Sequence, residues 1–195
     1  MKKTSQRESS HPISDIFLNR WSSRAFSDEP VTNNELMTLF EAARFAPSAY
    51  NAQPWRFIYT RKGTPLHDQL INLMVPVNQS WAQQAPVLVV LLSKKSFEHN
   101  GKPSQWHSFD AGAAWMSLAL QATMSGLNVR AIAGFDQKQA RSIMHIPEDF
   151  DIEIMIAIGK PGEKTTLSPE LQAREIPSER KTLGEIVFED GFNER

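Results

Sequence analysis

Ile13, Ile16 and Phe17 recur at helical spacing behind Pro12, which predicts a first helix over residues 12–20 with the proline in its opening turn. Thr32 and Glu35 form a capping box ahead of Leu36, Leu39, Phe40 and Ala43, an i, i+3, i+4, i+7 stripe that predicts a second helix. That helix must stop near Phe45, because Pro47 disfavours helical geometry at Ala46 and breaks the hydrogen-bond ladder. Residues 55–60, aromatic and β-prone behind Pro54, predict a strand, and Thr64 with Pro65 opens a third helix ending around Met74. The run 87–93 is apolar throughout, the pattern of a central strand covered on both faces.

A polar loop over 94–103 follows, and Ser104 is positioned to cap a long helix over 105–125 that Gly126 closes. Apolar on nearly every side and about 30 Å long, it reads as a buried central helix. Residues 129–132 predict a short strand, Asp136 caps a short helix through Met144, and 152–158 predict another buried strand, ended by Gly159, Pro161 and Gly162. Beyond Glu163 the chain turns polar, yet Leu183, Ile186, Val187 and Phe188 are too apolar to hang free. The extension 163–195 is therefore expected to dock, with a partner subunit as its surface.

At 195 residues the chain suits one domain with a real core. Residues 1–10 are polar and charged with no apolar stretch behind them, so they are expected to fray and not to act as a secretory signal. The longest apolar runs fall well short of the roughly 20 residues a membrane span needs, so a soluble, cytoplasmic protein is expected. Lys and Arg number 21 against 22 Asp and Glu, which leaves no global basic field for nucleic acid or anionic lipid. With no cysteine, disulfides, thiolate catalysis and cysteine-ligated metals are excluded.

Familiar catalytic motifs are missing as well. There is no G-x-G-x-x-G, Walker loop or G-x-S-x-G elbow. His11, His67, His99, His107 and His145 show no paired spacing on one helix face and read as surface or packing residues, with no metal implied. Asp149, Asp151 and Glu153 read as alternation along a strand edge beside a turn at Pro147. Two segments stand out instead. Arg20-Trp21-Ser22-Ser23-Arg24 concentrates two guanidiniums and two hydroxyls where a helix should end, either an anion site or solvated arginines at a helix C-terminus. Residues 46–55 form a polar loop with prolines at both ends, followed by a strand.

With these two segments, the chain resembles the FMN-dependent nitroreductase family, and later segments continue the match in order from about Ile13 to about Val187. The resemblance implies roles. Arg20 and Ser22 match the FMN phosphate and ribityl contacts, with Trp21 between them also counted as cofactor-binding, and Arg24 matches a cation near N1 and O2 of the isoalloxazine, an electrostatic tuner of the reduced ring. Pro47, Ser48, Asn51 and Gln53 match a P-S-x-x-N-x-Q-P-W loop that reaches the partner subunit's flavin; the alternative is a proline-stiffened turn, with Trp55 in the core. Asn78 matches an amide at the pyrimidine edge. Ala133 and Gly134 match the segment whose backbone lies near N5, although Gly134 also suits a plain turn. Arg180, with Lys181 beside it, matches a late phosphate-binding cation.

Departures are equally specific. Trp81 stands where many members carry a second basic residue, and Ala133 where the family has Glu. No large insertion precedes the long helix, so substrate contacts are either missing or rebuilt from residues 94–106. No catalytic side-chain constellation is visible, as suits an enzyme whose cofactor carries the reaction. The implied fold is α+β, a mixed sheet of about four or five strands surrounded by helices, dimerised through the long helix with two interfacial FMN sites. The implied activity is ping-pong hydride transfer from NAD(P)H through flavin N5 to a nitroaromatic or quinone, with Trp106 and Phe109 either walling that face or lying in the core. Alternatives are a non-catalytic flavin store or sensor, a dehalogenase or flavin-fragmenting enzyme of the same fold, and a cofactor-free helical dimer.

Overall fold

The centre of the computed structural model, which describes residues 7–192, is β2 (Val87–Lys94), buried along all but its last residue. Its apolar run has no polar face because helices cover both sides. β1 (Trp55–Arg61) pairs with one edge of β2 and β4 (Phe150–Gly159) with the other, while β3 (Asn128–Ile132) pairs with the far side of β4. The order is β1-β2-β4-β3, and every pairing is antiparallel. A mixed sheet was expected; β4 explains the difference. β2 and β3 run in the same direction, joined through α5 (His107–Met124), but β4 inserts between them, so no two parallel strands bond each other. β4 is an inner strand, although its first residues extend past β3 and leave Asp151 and Glu153 on a local edge.

Helices pack on both faces. α2 (Asn33–Arg44) begins at the expected capping box, with Thr32 N–H donating to Glu35 Oε2 at 2.7 Å and Glu35 N–H donating to Thr32 Oγ1 at 3.2 Å. Leu36, Leu39 and Leu118 lie with Val87, Val89, Leu91 and Ile156 in one core, between the sheet and the α2 and α5 layer. α3 (Pro65–Asn72) and α4 (Pro76–Ala82) send Leu70 and Trp81 into the other, with Leu88, Val90, Met155 and Phe26. Each fully buried Leu contributes about 2 kcal/mol. α4 was not expected: Pro76 opens it directly after α3, and only its last turn is apolar enough to bury.

α1 (Asp15–Asn19) is shorter than expected, because Ser14 and Arg20 are both extended. Ser104 does not cap α5; Trp106 occupies that position and its N–H donates to Ser104 Oγ at 3.3 Å. α5 is also not buried all round. Ala111, Ala114, Leu118 and Ala122 face the core, while Phe109, Met116 and Met124 stand open on the opposite side of the single chain. α6 (Gln137–Ile143) is capped by Asp136, which accepts from Gln139 N–H at 2.9 Å, and α7 (Pro169–Ala173) by Ser168. No helix among the described residues is long and apolar enough to cross a membrane.

The end of β4 positions the chain that follows α1. Ser27 N–H donates to Lys160 O at 3.0 Å and Gly162 N–H to Ala25 O at 3.1 Å. A Cβ on Gly162 would overlap the Phe26 carbonyl, so only glycine admits this approach. Of the expected fraying segment, residues 1–6 lie outside the described residues, and Arg7 is held by Arg20 O at 2.8 Å and Ser178 O at 2.9 Å.

Candidate functional site

Past Asn19 the backbone leaves the helix and runs extended through Arg20, and a single carboxylate organises residues 23–25. Glu175 Oε1 accepts from Ser23 Oγ at 2.6 Å, Arg24 N–H at 2.6 Å and Ala25 N–H at 3.1 Å, while Oε2 pairs with the Arg24 guanidinium at 3.3 Å. Glu175 is 7% exposed. A carboxylate buried so far is tolerable only when its lone pairs are filled, and here four donors fill them. Nothing in the sequence pattern connects the polar extension with residues 23–25, so Glu175 was missed. It also means that the Arg24 charge is already partnered.

Arg20 differs. Burial, and then the charges of Arg7 and Arg180, hold its pKa below the ordinary arginine value. Arg7 and Arg180 converge because both donate to the carbonyl and hydroxyl of Ser178, and Arg7 also grips Arg20 O. Among the described residues, the Arg20 guanidinium makes one hydrogen bond, a long 3.4 Å donation to Ser22 Oγ. Among the described residues, no ion pair involves Arg20 or Arg180. Like charges are thus drawn together at a part-buried position, an arrangement that a bound anion relieves. Lys181 is exposed beside them. Trp21 lines a separate cleft of about 210 Å³ with Thr123, Leu127 and Pro161.

α4 and the turn after β3 form the next part. Val75 N–H donates to Gly134 O at 3.0 Å, Asn78 Nδ2 to the same carbonyl at 3.3 Å, and Asp136 N–H to Leu73 O at 2.9 Å. A Cβ on Gly134 would lie 2.9 Å from Asn78 Nδ2 and 3.0 Å from Val75 Cγ2, so the glycine serves this close packing. Ala133 is exposed at the rim. Trp81 is core, and the Arg130 guanidinium lies 5.5 Å from its ring centroid while donating to Ser22 O. Burial first, then the Arg24 charge, depress the Arg130 pKa to about 10, against the opposing pull of Glu175. Where the resemblance led us to expect a basic residue, the sequence has Trp81, and a cation from the neighbouring strand rests on its face. Arg130 thereby ties residues 20–25 to α4. It went unnoticed because a lone Arg in a short strand carries no motif.

The loop 47–53 forms a second group. Tyr50, Asn51 and Gln53 all have φ between 46° and 54°, left-handed backbone that Asn tolerates and that costs about 1 kcal/mol or more for each of the others. Side-chain bonds that hold this shape include Ala49 N–H to Asp110 Oδ2 at 3.1 Å, Gln53 N–H to Ser48 Oγ at 3.0 Å, Gln53 Nε2 to Asn51 O at 3.1 Å and Arg56 to Gln53 O at 3.0 Å. Asp110, 3% exposed in the first turn of α5, is a second residue that sequence reasoning missed. An open cleft of about 650 Å³ lies between Tyr50, Asn51 and Gln53 on one wall and Glu98 and His99 on the other. Trp55 is core as expected, whereas Trp106 and Phe109 are exposed. No hydrogen bond or ion pair among the described residues joins this loop to the arginine cluster within one chain.

The sequence signature of the Nitroreductase family matches residues 18–160, about three quarters of the chain, spanning the arginine segment, the loop, Asn78 and Gly134. The chain belongs to the nitroreductase family. Among solved structures, this nitroreductase-family chain is similar to an oxidoreductase containing FMN, with 39% identity, full coverage of both chains and a TM-score of 0.94. A nitroreductase family protein from Streptococcus pneumoniae shares the fold at a TM-score of 0.74 and 24% identity, over 90% of this chain and 98% of that one. An NADH dehydrogenase from Thermus thermophilus is 28% identical over 202 residues, covering 88% of this chain and 92% of the relative. Glu175 and Arg180 both lie beyond the matched span.

Proposed function

We propose that this chain is a cytoplasmic, homodimeric, FMN-dependent oxidoreductase using NAD(P)H as its reductant. One observation carries the reading: Arg20 and Arg180 are gathered with Arg7 around a point where their charges repel and no carboxylate among the described residues pairs with Arg20 or Arg180. A phosphate monoester dianion fits that donor set, since guanidiniums match phosphate oxygens bidentately and Ser22 adds a neutral donor. Arg20, Ser22, Arg180 and Lys181 would hold the phosphate. Arg24, Asn78 and the backbone of Ala133 and Gly134 would hold the ring, with Arg130 as a further cation beside Arg24.

When bound, FMN supplies hydride exchange at N5, taking two electrons from NAD(P)H and passing them to a small acceptor such as a nitroaromatic or quinone in ping-pong order. The chain's own contribution is binding and electrostatics. Arg24 and Arg130 are fixed positive charges in a part-buried setting, where they favour the more negative redox form. Support for the dimer is the row of open apolar side chains on α5, Phe109, Met116 and Met124, together with Leu183, Val187 and Phe192 in the extension. A second copy covering them would also bring its 47–53 loop, which among the described residues makes no hydrogen bond to the arginine cluster of its own chain, to the first copy's flavin.

Flavin fluorescence titration followed by NAD(P)H oxidation tests the proposal. FMN uptake with steady turnover is expected, and an Arg20→Ala, Arg180→Ala double variant should bind FMN about 100-fold or more weakly, two charge-assisted contacts being lost. Unchanged affinity would remove the phosphate assignment, and FMN uptake without turnover would leave a flavin store in place of an enzyme.

A further inference from the structure

Glu175 does more than the family match accounts for. It lies outside the matched span, in an extension whose preceding helix ends at Ala173, yet its carboxylate closes on residues 23–25 through one hydroxyl, two backbone N–H groups and one guanidinium. The backbone bonds alone would need only an acceptor oxygen, which a neutral amide could supply. The formal charge is an additional feature, and its setting makes it count. The charges of Arg24 and Arg174 both act on Arg130 here, with Glu175 as the opposing charge, and the paired Arg24 and Glu175 side chains are 13% and 3% exposed, so solvent screens them poorly.

Resting on the flavin reading above, we propose that Glu175 is a positioning residue for the flavin: it fixes the backbone that presents Ser22 and Arg24, and its charge offsets Arg24, setting how strongly the site favours reduced over oxidised FMN. The two roles separate by chemistry. Glu175→Gln keeps an acceptor for the N–H groups of Arg24 and Ala25 while deleting the charge. Glu175→Asp keeps the charge while shortening the reach. Glu175→Ala removes both.

The test measures oxidised-FMN affinity, flavin midpoint potential and melting temperature without flavin for all four proteins. Glu175→Gln is expected to bind oxidised FMN within about threefold of wild type while the reduced form gains about tenfold relative to it, a positive shift of about 30 mV for a two-electron couple. Glu175→Asp should keep the wild-type potential even where its melting temperature falls, and Glu175→Ala should lose both flavin affinity and stability. A Gln variant that holds FMN at the wild-type potential, or an Asp variant whose potential moves as Gln's does, would overturn the inference and leave Glu175 as a structural staple. A wild-type protein that takes up no FMN would overturn the flavin reading and this inference together.

Discussion

Arg20 offers a substitution whose effects on stability and on ligand binding should have opposite signs. In Arg20→Met the aliphatic stem is kept and the charge removed. The loss to the free protein is small, because among the described residues the guanidinium makes only a 3.4 Å bond to Ser22 Oγ, while the Arg7 donation to Arg20 is to the backbone carbonyl and survives. Against that loss, a desolvated charge repelled by Arg7 and Arg180 disappears. The net change should lie within about 0.5 kcal/mol or favour the variant, which is at most a fall of about 2 °C in melting temperature for a chain of this size. Flavin binding should move the other way. A charged donor to phosphate contributes about 1.5–3 kcal/mol, so the FMN dissociation constant should rise roughly 10- to 150-fold. At fixed saturating FMN, each tenfold loss removes about 1.4 kcal/mol of ligand-induced stabilisation. Thermal melts with and without FMN read both quantities in one instrument. A variant that melts more than about 4 °C lower without flavin, yet binds FMN as tightly as wild type, would show that Arg20 is structural and refute the reasoning.

Other positions give sharp outcomes. Asp110→Ala leaves the Ala49 N–H without its acceptor, so hydrogen exchange at that amide should accelerate and stability fall by about 1–3 kcal/mol, while Asp110→Asn, which keeps an acceptor, should protect it. Gly162→Ala forces a methyl against the Phe26 carbonyl and should cost about 2–3 kcal/mol, lowering the melting temperature by about 5–10 °C in calorimetry. Thr32→Ala removes the α2 cap at about 1 kcal/mol. Because bonds from Thr32 hold the Glu35 carboxyl below its ordinary 4.5, the Glu35 share of that stability is complete above pH 4.5 and is lost as pH falls through the lower folded value; the wild-type and Thr32→Ala melting curves should therefore converge on acidification.

The fold was legible where the signal is local. The Thr32 to Glu35 box, the apolar run of β2 and the Asp136 cap each specify their element within a few residues, and all three formed as expected. The sheet's wholly antiparallel order was not legible, since it depends on where β4 inserts rather than on any strand's own pattern. Apolar residues on every side of α5 could not say which face its own chain would cover. For the site, the arginines at 20, 24 and 180 were visible as residue types, but the bonds that arrange them were not. Glu175 reaches Ser23 across 152 residues and Asp110 reaches Ala49 across 61, and no periodicity records such pairings. Arg130 was hidden for the same reason: its meaning comes from Trp81 beneath it, on a different element.

If the gathered guanidiniums hold one phosphate, a comparison of FMN with riboflavin isolates that group. Riboflavin carries the same ring and ribityl chain without the phosphate, so fluorescence titrations of the wild-type protein with the two ligands differ only in what Arg20 and Arg180 are assigned to bind. FMN should bind at least about 100-fold more tightly than riboflavin, with the gap closing as salt is raised. Riboflavin binding within about threefold of FMN at low salt would contradict the account.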